Sequence, residues 1–98
     1  MLRIERSANG QVVFTLSGRM QTEDIEQFQQ LLVVETPGQP LMFNLRDVTI
    51  VNQDAVTFLA RCEANGIKIE NCPLYIRNWI DQEKRRNESR RMRKRDTK

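Results

Sequence analysis

The sequence contains no histidine, and this absence limits the catalytic chemistry available to the protein. Histidine is the most common general base near neutral pH, because its unperturbed pKa is about 6.5. Without it, neither a Ser-His-Asp nor a Cys-His arrangement can be built. Carboxylate pairs and lysines remain as alternative acid–base groups, but no spacing singles one of them out. The sequence therefore favours a binding protein over an enzyme, and we assign no catalytic residue.

Cysteine is also scarce, with only Cys62 and Cys72, which both lie among apolar neighbours. Two thiols at this spacing could form a disulfide or half of a metal site. A structural zinc site needs four ligands, usually from cysteine and histidine, and the sequence offers no further residue of either type. We interpret both cysteines as ordinary buried thiols. We expect neither a metal nor a cofactor.

Long apolar runs are missing as well. A helix that spans a bilayer needs about 20 consecutive apolar residues, and no segment approaches that length. Met1 is followed at once by Arg3 and Glu5, which does not resemble a signal peptide. We therefore expect a cytoplasmic protein with no membrane span.

The 98 residues are enough for one domain and not for two, and their charge is uneven. Residues 84–98 carry nine Lys or Arg and two acids, a net charge of +7. Residues 1–83 carry seven Lys or Arg and eleven acids, a net charge of −4. This contrast predicts an acidic domain over residues 1–83 and a basic C-terminal tail over residues 84–98. The tail is either a helical extension or a disordered segment.

Short apolar and alternating runs predict four strands. Residues 2–6 and 12–16 form an N-terminal hairpin, which Gly18 ends. Residues 41–45 are mostly apolar, as in a strand buried on both faces. Residues 67–69 form one more short strand.

Three further segments have the period of amphipathic helices. The first is capped by Thr22, the second by Asn52, and the third begins near Pro73. Their apolar faces consist of Ile25, Phe28, Leu31 and Leu32, then Ala55, Phe58, Leu59 and Cys62, then Tyr75, Ile76, Trp79 and Ile80. The third helix should lose its buried face near Glu83, because few apolar residues follow.

This order of elements predicts an α/β fold. Helical crossovers between the later strands imply parallel pairing, whereas the hairpin is antiparallel. We therefore expect a mixed β-sheet with helices packed mainly on one face.

Three stretches then carry a family resemblance. They are Leu16-Ser17-Gly18-Arg19, residues 42–51, and residues 52–59. In their order and spacing they resemble the STAS domain of bacterial anti-sigma factor antagonists, over roughly residues 2–80. Residues 58–64 and 71–73, followed by Trp79-Ile80, also look like a group of uncharacterised bacterial STAS-like proteins. The resemblance implies a STAS-like sheet and a regulatory protein as partner, such as an anti-sigma-like kinase.

In regulatory STAS domains a signature turn contains a serine that the partner kinase phosphorylates. The matching positions here are Asn52, Gln53, Asp54 and Ala55, and Gln53 occupies the phosphoacceptor position. Glutamine has no hydroxyl, so the resemblance does not extend to a phosphorylation switch. Asn52 and Asp54 have two interpretations: they cap the helix, or together with Gln53 they present a fixed polar surface to a partner.

Other residues also have two interpretations each. Arg19, in the loop after Gly18, lies near the signature turn by analogy with STAS domains, and it is either part of the binding surface or a solvated loop arginine. We also assign Thr57 to the binding surface. Tyr75 and Trp79 are aromatic anchors for a partner or, as their helical spacing favours, core residues.

The basic tail is the last candidate. It is a solvated charged segment or it binds an anionic partner, with nucleic acid as the main alternative. Its candidate residues are Lys84, Arg85, Arg86, Arg90, Arg91, Arg93, Lys94 and Arg95. It lacks an aromatic side chain for base stacking.

Our first hypothesis is a non-catalytic protein-interaction module that binds through Arg19, Asn52, Gln53, Asp54 and Thr57. The alternative is a nucleic-acid-binding accessory protein that acts through its tail. A homodimer is a further candidate assembly.

Overall fold

The computed structural model describes the backbone of residues 2–35 and 38–96, and the side chains of these residues as far as Arg86. The strands and helices follow the predicted order. Their bounds are β1 (Leu2–Ala8), β2 (Val12–Met20), α1 (Thr22–Val33), β3 (Leu41–Val51), α2 (Gln53–Ala64), β4 (Lys68–Glu70) and α3 (Leu74–Asp96).

The strands form one mixed sheet in the order β1-β2-β3-β4. β1 pairs antiparallel with β2, whereas β2 with β3 and β3 with β4 are parallel. The antiparallel pair is joined by a tight turn, and each parallel pair is joined through a helix, as these two geometries require. The predicted mixed α/β sheet is therefore confirmed.

The core lies on one face of this sheet. Phe14 and Leu16 of β2 and Phe43 and Leu45 of β3 are fully buried, and they cluster with the apolar sides of the helices. Successive side chains of a strand point to opposite faces, so the residues between them face the other side of the sheet. Asn44 is one of these and is only half-buried. The expectation that residues 41–45 are buried on both faces was wrong.

Aromatic packing holds α1 to the sheet and to α2. The ring centroid of Phe28 lies 5.4 Å from Phe14, 4.9 Å from Phe43 and 5.8 Å from Phe58. Phe28 and Ile25 are the buried apolar residues of α1. The other predicted core positions of α1 are less buried, and Leu31 is 42% exposed.

Gly18 does not end β2. The strand continues to Met20, and its pairing with β3 shifts register between Thr15 and Ser17 and again between Gly18 and Arg19. Gly18 has a φ of 91°, which glycine adopts without strain. It therefore marks an irregularity within the strand rather than its end.

The N-terminus of α1 also differs from the prediction. Gln21, not Thr22, is the capping residue, and its backbone N–H donates to the Asp24 carboxylate over 3.0 Å. Asp24 is buried at this position. Thr22 is left free to make contacts with α2.

The third helix begins after Pro73, whose carbonyl accepts a hydrogen bond from the backbone of Arg77. Ile76 and Ile80 are fully buried, and Trp79 packs against the core while partly exposed. The expectation that Tyr75 is a core residue was wrong, because its side chain is 51% exposed.

No helix within the described ranges is long and apolar enough to cross a membrane.

Candidate functional site

The N-terminal end of α2 carries most of the predicted binding residues. We call Arg19, Asn52, Gln53, Asp54 and Thr57 the α2 face. Gln53 and Asp54 are exposed, whereas Asn52 and Thr57 are half-buried. This end of the helix therefore remains open to solvent.

Asn52 caps α2 as predicted. Its side-chain oxygen accepts a hydrogen bond from the backbone N–H of Ala55 over 3.0 Å. Such a cap satisfies one of the N–H groups that a helix start leaves unpaired. The side-chain amide nitrogen of Asn52 then donates to the Thr22 hydroxyl over 3.0 Å.

Thr22 joins the starts of α1 and α2. Its hydroxyl accepts from Asn52 and donates to Oδ2 of Asp54 over 2.7 Å. Asp54 thus lies in the first turn of α2, where the helix dipole favours an acid. The contact with Thr22 also orients its carboxylate, so both interpretations of Asp54 remain compatible: it supports the helix start and it is exposed to a partner.

Gln53 is exposed, and its side chain also contacts α3. Its Nε2 donates to Oε1 of Glu83 over 3.0 Å and to the Thr57 hydroxyl over 3.2 Å. The Thr57 hydroxyl in turn donates to Oε2 of Glu83 over 3.4 Å. Gln53 therefore helps to hold α3 in place.

Glu83 is the site residue that the sequence analysis missed. Its side chain is buried, with 7% exposure for the residue, and Nη1 of Arg86 lies 3.5 Å from Oε1. The spacing of the sequence points to its burial. Glu83 lies seven residues after Ile76 and three after Ile80, and it is therefore on the same stripe of α3. An acid is seldom buried unless paired, so the apolar spacing alone predicts that the buried face is lost near Glu83.

Strand pairing between β2 and β3 places Arg19 close to the N-terminal end of α2. It is opposite Ile50 in the β2–β3 ladder, two residues before Asn52, and it is exposed. Within the part of the chain that the structure describes, no hydrogen bond or ion pair engages its guanidinium.

The basic tail lies only partly within the described side chains. Lys84 contacts Oε1 of Glu63 over 3.1 Å, Arg86 lies near Glu83, and Arg85 is exposed. The side chains of Arg90, Arg91, Arg93, Lys94 and Arg95 lie outside the described residues.

The cysteines are both free thiols. Burial raises the pKa of Cys62 to about 12, and burial also raises the pKa of Cys72. Both shifts keep the thiols protonated at neutral pH, and a protonated thiol is a poor nucleophile. Among the residues searched in the described ranges, no three Cys, Asp or Glu side chains are grouped as metal ligands would be.

Comparison with solved structures finds a similar backbone in an uncharacterized protein of the DUF3478 family with a SpoIIAA-like fold from Shewanella loihica PV-4. The TM-score is 0.48 and the sequence identity 18%, and the similarity covers 70% of this chain and 62% of that chain. This chain thus spans less than two thirds of that structure. No family model matches the chain, and no curated protein matches it. That structure has the SpoIIAA-like fold, in agreement with the STAS-like fold that the sequence resembles, and a likeness at this identity concerns the fold alone.

Proposed function

We propose that this protein is a non-catalytic interaction module that binds a bacterial regulatory protein through the α2 face. The observation that supports this most directly is the combination of exposure and fixed geometry at the start of α2. Gln53 and Asp54 are exposed, yet each is hydrogen-bonded to a different neighbouring helix. A polar surface that is ordered before binding loses less conformational entropy when a partner docks.

Binding at this face does not depend on phosphorylation at residue 53. Gln53 has no hydroxyl, and its amide is engaged by Glu83. A phosphate-like charge is also disfavoured there, because the buried carboxylate of Glu83 lies within hydrogen-bonding distance. The interaction is therefore constitutive with respect to this position.

A charge reversal on the α2 face tests the proposal. Asp54→Lys removes the bond from Thr22 and reverses an exposed charge without changing the core. We expect the variant to remain folded by circular dichroism and to lose the partner that the wild-type protein captures from a bacterial extract, with an affinity decrease of about tenfold or more for the purified partner.

The matched control is Glu70→Lys. Glu70 is exposed at the end of β4. Its replacement by lysine makes the same change of charge at a position away from α2. It should retain the partner. Equal recovery of every captured protein by wild type, Asp54→Lys and Glu70→Lys would count against the α2 face as the binding surface.

Nucleic-acid binding through the basic part of α3 is a second candidate. The helix continues to Asp96, Ile80 is the last fully buried residue among its described side chains, and residues 84–98 have a net charge of +7. A basic segment of this charge is able to neutralise phosphates in a salt-dependent way.

A salt titration separates this candidate from the first. If the tail binds nucleic acid, the full chain retains DNA or RNA on a filter at low salt, its affinity falls steeply as salt increases, and a chain that ends at Glu83 does not bind. If neither chain binds at low salt, this candidate fails. Lys84 contacts Glu63 and Arg86 contacts Glu83, so removing the tail also removes these ion pairs. Circular dichroism of the truncated chain should show that its secondary structure is retained.

A further inference from the structure

We propose that β1 is a homodimerisation edge, at which two copies pair antiparallel across a two-fold axis to form one continuous eight-stranded sheet. This surface is separate from the α2 face and does not depend on the proposed function. Three observations carry it: an open strand edge, a cleft with exposed apolar residues beside that edge, and charges that are complementary in one register.

The two edges of the sheet differ. β4 is only three residues long, whereas β1 extends over seven, from Leu2 to Ala8. β1 is the first strand in the sheet order and, within the described residues, pairs only with β2. A long edge strand presents a row of backbone N–H and C=O groups that a second strand is able to bind.

A cleft of about 410 Å³ lies on the helix side of this edge, and its wall combines apolar side chains with the ion pair of Arg6 and Glu35. It is lined by Ile4, Arg6, Phe14, Leu31, Val34 and Glu35. Leu31, in the last turn of α1, is 42% exposed, and Val34, the residue that follows α1, is 77% exposed. Exposed apolar side chains grouped beside an open edge are typical of an interface.

The charges of β1 favour a second copy of this chain as the strand that pairs with β1. When Ile4 faces Ile4 of the other copy, Arg3 faces Glu5 of the other copy, and this pair occurs twice because of the symmetry. Registers centred on Arg3, Glu5 or Arg6 instead place like charges opposite each other at the centre. Opposite charges across two strands are favourable and like charges unfavourable.

The same register places Ile4 opposite its counterpart, with Leu2 opposite Arg6 on either side of this pair. A two-fold axis perpendicular to the sheet keeps the helices of both copies on one face. Ile4 meets its counterpart there, and the two clefts lie side by side, so that Leu31 and Val34 of each copy cover the join. Arg3 and Glu5 lie on the opposite face and are exposed, with side-chain exposures of 79% and 67%.

A charge-reversal series tests both the interface and its register. We expect the wild-type chain of 11.6 kDa to sediment as a dimer at high concentration. Arg3→Glu and Glu5→Arg should each weaken dimerisation about tenfold or more, because each places like charges opposite each other twice. The double variant Arg3→Glu/Glu5→Arg should restore the wild-type dissociation constant. Both residues are exposed, so folding is retained.

A second pair of variants tests the apolar part. Val34→Asp should weaken the dimer, whereas Val33→Asp, at a neighbouring position that is 82% exposed but does not line the cleft, should not. A wild-type chain that stays monomeric up to about 1 mM would overturn the proposal. A dimer that is unaffected by the single charge reversals, or not rescued by the double variant, would also overturn it.

Discussion

Replacing Phe28 with alanine is expected to destabilise the domain by about 3–5 kcal/mol. The ring is fully buried and lies in contact with three other phenylalanines, on β2, β3 and α2. Its removal loses both the transfer free energy of the side chain and the packing around the space it leaves. A domain of this size has a total stability of about 5–15 kcal/mol, so a large part of it depends on this one residue.

The effect should extend to the binding face. Phe28 and Ile25 are the buried apolar contacts of α1, and α1 carries Thr22, which orients Asn52 and Asp54. Loosening α1 therefore removes a support of the α2 face together with the core contact. Reduced partner binding by Phe28→Ala at temperatures where the variant is still folded would reflect this coupling.

Urea and thermal unfolding followed by circular dichroism measure the change. The melting temperature of Phe28→Ala should fall by roughly 15 °C or more, since about 1 kcal/mol corresponds to several degrees in a small domain. Val33→Ala on the same helix is the control, because Val33 is 82% exposed and its truncation should change the stability by less than about 0.5 kcal/mol. A loss below about 1 kcal/mol for Phe28→Ala would contradict the importance of the aromatic cluster.

The sequence predicts the order of elements and most of the core. Their spacing predicts Phe28, Phe58, Ile76 and Ile80 as core residues, and all of them are buried. Periodicity succeeds here because each helix and strand has one face toward a single core, so local pattern and tertiary packing agree.

Errors occurred where a side chain or a backbone group makes a contact distant in sequence. Gly18 looks like a strand end locally, but pairing with β3 continues through it. Tyr75 fits the apolar pattern of α3, yet its hydroxyl donates to the backbone carbonyl of Thr49 and the ring remains exposed. Local spacing contains no information on these partners.

At the candidate site, too, local contacts follow from the sequence and contacts distant in sequence do not. Asn52 as a cap follows from the sequence, because capping is a local interaction. The contact of Gln53 with Glu83 joins residues 30 positions apart and depends on how α3 crosses α2. A buried acid on the apolar stripe of a helix is the one sequence feature that points to such a contact, since it requires a polar partner.

The second large effect concerns the ion pairs between α2 and α3. Glu63 accepts hydrogen bonds from Arg77 over 3.0 and 2.6 Å and from Lys84 over 3.1 Å. Arg77 also donates to Asp81 over 2.8 Å. Hydrogen bonding to Arg77 lowers the pKa of the Glu63 carboxyl, and the same contact raises the pKa of Arg77.

Glu63→Gln is expected to cost about 1–3 kcal/mol at neutral pH. The amide keeps the shape of the side chain but leaves Arg77 and Lys84 without their shared charge partner. Asp81 still pairs with Arg77, which limits the loss. Glu70→Gln serves as control, since Glu70 is exposed and, within the described residues, has neither an ion pair nor a side-chain hydrogen bond.

The loss should depend on pH in a defined direction. Because the pKa of Glu63 is lower in the folded state than in the unfolded state, its contribution is fully present above the unfolded pKa of about 4.3 and disappears as the pH falls through the folded value. The difference in unfolding free energy between wild type and Glu63→Gln should therefore be constant near neutral pH and shrink at acidic pH. Urea titrations from about pH 7 to pH 3 measure it. A difference that stays constant over this range would show that Glu63 acts through packing and not through its charge.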